Sequence, residues 1–346
     1  MKYSLNKLDL KTTNGFKIND IKIDIDIPII NDFKEYEIVN NSLDDNNILI
    51  KKINKKLTSR IGLEFDKYYN ISITIPKGLK LNEPIEFKYL FENNDVLIDN
   101  FNILFEEDSK ADIIINHVSK DDNKHFHHLK INIRSNKYSD GSVTYINNLN
   151  DNSYNFVAIE NDALPHSNIK TNIIDIGCMT KLYNVFTNTY ESAKNKLNSI
   201  YIGKDNNIID INYTLNNVGK SSINEMKVEG VLDDNAKKNF RGTIDFKKGC
   251  SESIGEENEN CVLLSDSCMS RSLPSLLCHE ENVVGAHGVS SGKIENDKLF
   301  YIMSRGFDKK EAEKLIVKTN LNTIIHEIPN ETLQDDLEKI IDKKLG

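Results

Sequence analysis

The chain has no tryptophan, six prolines and sixteen glycines among its 346 residues, and no cysteine before Cys178. So little glycine and proline excludes a collagen-like or low-complexity chain. No apolar run approaches the roughly 18 residues that span a bilayer as a helix. The first residues, Met1-Lys2-Tyr3-Ser4-Leu5-Asn6-Lys7, lack the apolar core of a signal peptide. A cytoplasmic location is therefore expected. An excess of basic charge is also missing. The net charge is −9 and the pI near 5.5, which argues against nucleic acid or an anionic membrane as partner. The five cysteines are odd in number and confined to the second half, unlike a secreted disulfide framework, so reduced thiols are expected.

Catalytic signatures are absent as well. There is no Gly-x-Ser-x-Gly elbow and no Gly-x-x-x-x-Gly-Lys-[Ser/Thr] loop, so a hydrolase elbow is not supported and the chain itself is not expected to bind a nucleotide through a P-loop. Asp121-Asp122 and Asp233-Asp234 are adjacent acids, which point apart on a strand and are solvated in turns.

What is present is globular composition, 38% hydrophobic and 28% charged. The chain divides into three stretches. Residues 1–68 are mixed. Ile21 to Ile27 alternates with period two and reads as a strand, and the spacing of Ile48, Leu49, Ile53 and Leu57 suits a short helix. Residues 69–304 form a β-rich body. Its runs include Ile71–Ile75, Ile85–Phe91, Phe101–Phe105, Ile113–Val118, Leu129–Ile133, Val143–Ile146, Ile169–Ile176 and Ile208–Leu215. Such spacing fits a sandwich, a barrel or a solenoid. More than 200 residues without a Pro/Gly/Ser-rich linker favour the solenoid, although no sequence period is visible. The 46 asparagines carry little meaning at this level beyond base composition. Residues 305–346 read as two helices. Asp308 and Glu311 form a capping-box pattern ahead of a face with Ala312, Leu315, Ile316 and Thr319. After Pro329, a stripe runs through Leu333, Leu337, Ile340, Ile341 and Leu345. Short amphipathic helices must bury such stripes, here on the body or on a partner.

Thiols and imidazoles concentrate at Cys250, Cys261, Cys268, Cys278, His279 and His287. These residue types ligate zinc, iron and iron–sulfur clusters. No Cys-x-x-Cys occurs, so a preformed four-ligand site is not indicated, whereas a shared or interface site remains open beside plain core packing. His117, His125, His127 and His128 form a second patch, with surface strands as the plainer reading and no acid fixed beside them in sequence.

The C-terminal third resembles a known family. Asn239 to Phe246 is similar to the "F-x-G-x-I-x-V" segment of SufB/SufD proteins, and Leu263-Leu264-Ser265-Asp266 to their "L-L-L-S-D". Pro274, then Val283 to Gly288, Gly292-Lys293-Ile294, Leu299-Phe300-Tyr301 and Ser304-Arg305-Gly306, follow the family's order through "S-H-G-A" to "S-R-G". Ile75 to Gly78 with Glu83-Pro84-Ile85 resembles its "I-P-K-G" segment. The resemblance implies a mainly β fold, a right-handed parallel β-helix with a small N-terminal segment and a C-terminal α-helical segment. It implies a non-catalytic scaffold of SUF-type iron–sulfur cluster assembly, carrying a transient cluster. It implies two partners, a SufC-type ABC ATPase and a SufB-like sibling or a second copy of this chain. Helices after Arg305 would dock the ATPase, through Arg305, Leu315, Ile316, Leu333, Leu337 and Ile340. His287 matches a SufD-type interface histidine, and Gly288 stands where the SufB branch has Glu. Cys261 lies two residues from the position of a SufB functional cysteine, and Cys268 matches a cysteine that SufB-type sequences often carry after that segment. His287, Cys261 and Cys268 are therefore the candidate cluster ligands. An adaptor that holds no cluster, and an unrelated β-helix carbohydrate-binding protein or enzyme, are the alternatives.

Overall fold

The computed structural model describes residues 2–9, 18–28, 36–40, 43 and 45–346. Two nine-stranded sheets face each other, and the chain steps from one to the other along its length. Sheet I runs from Glu37–Asn40 and Ile85–Phe91 through every second later strand to Val283–Gly292. Sheet II runs from Ile48–Ile53 and Tyr68–Ile75 in the same way to Met269–Cys278. Neighbours within the solenoid are parallel, whereas Glu37–Asn40 and Ile48–Ile53 cap its first turn antiparallel. This is a parallel β-helix of about eight turns.

The β-rich runs read from the sequence are its strands. Alternate residues point into the lumen, where Phe87, Phe101, Ile113, Ile131, Tyr145, Ile211 and Phe240 belong to one continuous core. The absence of a visible period has a structural cause. Register partners are 26 residues apart at Asn168↔Lys194 and 32 apart at Lys237↔Met269, so turn length varies from rung to rung. Asparagine has a structural role here. The Asn132 amide donates to Asn100 and Asn102, and both of those donate to Asn70, forming a ladder on the outside of sheet II. Stacked rungs bring like residues into register, and an amide both donates and accepts.

Each sheet has its outer face covered. The N-terminal segment lies on sheet II, packing Leu5, Ile21, Ile23, Ile61 and Phe65 onto Ile98, Phe126, Phe156 and Leu182. It is fastened by the fully buried Arg241, which pairs with Asp210 and donates to the carbonyls of Asn6 (3.0 Å) and Ile18 (3.1 Å). The alternating stretch forms a strand over Ile21–Asp24. The helix expected around Ile48–Leu57 is instead a strand, Ile48–Ile53. Its three isoleucines suit a pleated surface, and pairing with Tyr68–Ile75 decides the outcome.

Sheet I is covered by helices α2 (Lys309–Ile325) and α3 (Glu331–Leu345), while α1 (Asn296–Met303), which has no buried residue, packs beside α2. Helical structure thus starts ahead of Arg305, at Asn296. The capping box forms: Asp308 accepts from the Glu311 amide at 2.9 Å, and Glu311 accepts from the Asp308 amide at 2.8 Å. Asn330 caps α3 through the Leu333 amide. Val317, Leu321, Ile324, Ile325, Leu337 and Ile341 bury against Ile114, Ile146, Ile174, Ile200 and Val231. At about 1.5–3 kcal/mol per buried aliphatic side chain, this contact holds the helices to the body. The expected face of α2 is rotated. Ala312 is buried, but Leu315 and Thr319 are exposed and the stripe runs through Val317, Leu321, Ile324 and Ile325. Among the described residues, no helix is long and apolar enough to cross a membrane.

Candidate functional site

The last turn of the solenoid is open. Met269–Cys278 and Val283–Gly292 are the terminal strands of their sheets, and most of their side chains are at least partly exposed. Among the described residues, no further strand pairs with their outer edges. Unpaired backbone groups on two parallel edges are a template for another chain.

His287 lies on that exposed turn, in register with Glu257 of the strand Ser253–Leu263. Register partners share a face, so His287 stands above the inward-facing Glu257 at the mouth of the lumen. Glu257 is fully buried and neither carboxylate oxygen has a hydrogen-bond partner among the described residues. Burial, with Glu259 nearby, pushes its pKa up to about 8. The room for it comes from Gly242, where any Cβ would fall 1.9 Å from Oε1. Beside it, Glu259 pairs with the buried Lys238 and accepts from the Tyr201 hydroxyl at 2.9 Å.

The cysteines lie elsewhere. Cys261 is in register with Ser291, four residues along the strand from the Glu257–His287 pair, or about 13 Å at 3.3 Å per residue. It is buried, and burial raises its pKa. Cys268, half-buried, packs against the same core, and its thiol donates to the Ser265 carbonyl at 3.1 Å. Among the described residues, no group of metal-ligating side chains joins His287 to a cysteine. Cys178 and Cys250 are buried and Cys278 is exposed.

The proposed docking residues separate by burial. Leu337 is 1% exposed and belongs to the contact with sheet I, with Leu333 and Ile340 packed beside it. Ile316 is half-buried, Leu315 is 43% exposed, and Arg305 stacks on the exposed Tyr301 ring at 5.0 Å. Sequence reasoning missed the surface around them. Phe300, Tyr301, Met303 and Phe307 are exposed, Phe300 by 75%. Phe300, Tyr301 and Met303 fall in the stretch read as β body, and only a helical reading of 296–303 reveals them as an apolar face, with Phe307 following in the loop before α2.

The histidine patch is a correction. His117, His125, His127 and His128 are not on a surface strand; all four are fully buried. His117 and His127 point into the lumen beside Asp99, and His128 packs on Phe65 under the N-terminal segment. The acid that sequence did not place next to them comes from another rung.

Comparison with known proteins accords with this architecture. The family model described as "SUF system FeS cluster assembly, SufBD core domain" matches residues 89–320. The iron–sulfur cluster assembly protein SufD of Bacillus subtilis is 26% identical over 293 residues, covering 78% of this chain and 63% of that protein. A SufBD family protein of Pyrococcus horikoshii is 27% identical over 152 residues, 44% of this chain and 33% of its own length. Escherichia coli SufD is 22% identical over 156 residues, 45% of this chain and 37% of its own. The matches thus span less than two thirds of these relatives. The family match covers well over half of the chain, with most of the β-helix, α1 and most of α2 inside it, and the chain belongs to the SufBD core family of SUF-system iron–sulfur cluster assembly proteins.

Proposed function

We propose that this chain is a non-catalytic scaffold subunit of a SUF-type complex, with an iron–sulfur cluster as its cargo. It pairs through the open turn with a SufB-like sibling or a second copy, and an ABC-type ATPase docks on its helices. The observation that carries this reading is the uncapped C-terminal turn, with His287 exposed on it over the lumen mouth. A single exposed imidazole supplies one cluster ligand, and a partner across the edge would supply others. The distance between His287 and Cys261, and the burial of Cys261, favour His287 as this chain's ligand while the interface stays closed. The exposed face with Phe300, Tyr301, Met303, Phe307 and Leu315 supports the helices as the docking surface. Aromatic and Met side chains on a rigid element are typical contact residues.

Two measurements test this reading. The full chain, co-expressed with the ABC-type ATPase of the same cell, should co-purify with it, and the double variant F300D/L315D should not. Iron content after anaerobic reconstitution with the sibling chain should fall in H287A and hold in C261S. Retention of iron by H287A would leave the chain a structural adaptor.

A further inference from the structure

A second constellation lies at the other end of the solenoid, independent of the reading above. Asp99 belongs to the strand Val96–Phe105, His117 to Lys110–Ser119 and His127 to Phe126–Ser135. All three point into the lumen and are fully buried. His127 Nε2 is 3.1 Å from Asp99 Oδ1, and His117 Nε2 is 4.0 Å from Asp99 Oδ2. One ligand atom from each lies within 4.8 Å of the others. An ion bound tetrahedrally at about 2.0–2.1 Å spaces its ligands about 3.3 Å apart, close to these separations. We propose that Asp99, His117 and His127 form a binding site for one divalent ion, zinc or ferrous iron, sealed inside the lumen by Tyr36.

The hydrogen-bond pattern points to a cation. The Asn155 amide nitrogen donates to the Tyr183 hydroxyl at 3.0 Å, and its oxygen accepts from Tyr145 at 2.9 Å. That oxygen therefore faces His127 Nδ1 at 2.7 Å as an acceptor, so Nδ1 carries the proton. A ring with that single proton sets the Nε2 lone pair against the Asp99 carboxylate at 3.1 Å, and two acceptors opposed in a dry lumen need a positive charge between them, a second ring proton or a bound cation. Orientation of a ligating histidine by a hydrogen bond to its other nitrogen is the usual support of a metal site.

The remaining groups agree. Tyr36 donates to Asp99, so without an ion the 2.9 Å contact between its hydroxyl and His117 Nε2 is made by the Nε2 proton, which a bound ion would move to Nδ1. His117 Nδ1 has no hydrogen-bond partner among the described residues. Among the described residues, the only basic partners of Asp99 are these two imidazoles. Two nitrogens and one oxygen suit zinc or ferrous iron, not the oxygen-only set of magnesium or calcium. Tyr36 precedes the strand Glu37–Asn40, so the ion would tie the cap to the second and third turns.

The test uses the full chain, unfolded in guanidinium with chelator and refolded with ZnCl2 or CoCl2. One equivalent should survive desalting into chelator, counted by plasma mass spectrometry. The cobalt form should show ligand-field absorption without thiolate charge transfer, which separates this site from the cysteines. H127A, H117A and D99N should lose the ion and H287A should keep it. N155A should weaken binding about 10–100-fold. If the variants fail to fold, X-ray absorption of the zinc-loaded wild type decides, with two imidazoles and no sulfur expected. No retained ion in the wild type would overturn the proposal, and would mean a protonated His127 paired with Asp99. Sulfur ligation, or equal retention by H127A and D99N, would overturn it as well.

Discussion

Glu257 is a carboxyl placed where its charged form is least welcome. Its folded pKa of about 8 lies above the ordinary carboxyl value of 4.5. Between those two values the folded chain keeps a proton that the unfolded chain has released. Stability therefore falls as pH rises from about 4.5 to about 8, and is flat beyond. E257Q, which stays neutral, should abolish this slope and raise the thermal midpoint at pH 9 by several degrees relative to wild type, while changing little at pH 4.5. Melting curves across that range are the check, and parallel curves for the two proteins would contradict it. Arg241 works in the opposite sense, as a buried charge that is fully paired. R241M leaves Asp210 uncompensated and should cost about 3–5 kcal/mol in a denaturant titration. It should also expose the N-terminal segment to protease, since Arg241 holds the Asn6 and Ile18 carbonyls. Neither role was legible in sequence. The Phe240-Arg241-Gly242 motif was visible, but its Arg meets residues 31 and more than 200 positions away, and its Gly makes room for Glu257.

Among the elements, α2 and α3 show how far local signals reach. The capping box of α2 and the stripe of α3 were both readable, because each is set by neighbours within one or two turns. The buried face of α2 was not, because apolar residues occur on two sides of it and the sheet chooses between them. That choice divides the leucines. L337A removes a buried side chain from the cluster that joins the helices to sheet I and should destabilise by about 2–5 kcal/mol. L315A, exposed on the free side of α2, should change stability by less than about 0.5 kcal/mol. If the helices dock the ATPase, L315A should weaken that complex and L337A should act mainly on folding. Chemical denaturation paired with a pull-down separates the two effects. The strand Ile48–Ile53 carries the same lesson. Its apolar spacing fits a helix, and the antiparallel partner overrides it.

At the scale of the molecule, the solenoid is closed at one end and open at the other. The cap strands Glu37–Asn40 and Ile48–Ile53 pair antiparallel with the first turn and end its propagation. The last turn has no such cap among the described residues, so the whole molecule is directional. Pairing through that end should appear as a concentration-dependent oligomer, alone or with a sibling chain. A proline in place of Ser290, on the outermost strand, should weaken it while leaving the monomer folded, as measured by sedimentation and circular dichroism.

The sequence alone determined the strand-rich body, the helical C-terminus and the family motifs. Period-two alternation, caps and ordered tetrapeptides are local, and local pattern is what a chain displays without being folded. Tertiary structure decided the rest. Turns of unequal length still stack in register, so Asp99, His117 and His127 converge from three strands, while Cys261 and His287, only 26 residues apart, stand about 13 Å from one another. In a solenoid, proximity is set by rung and face, and the pairing that assigns them is made only between strands.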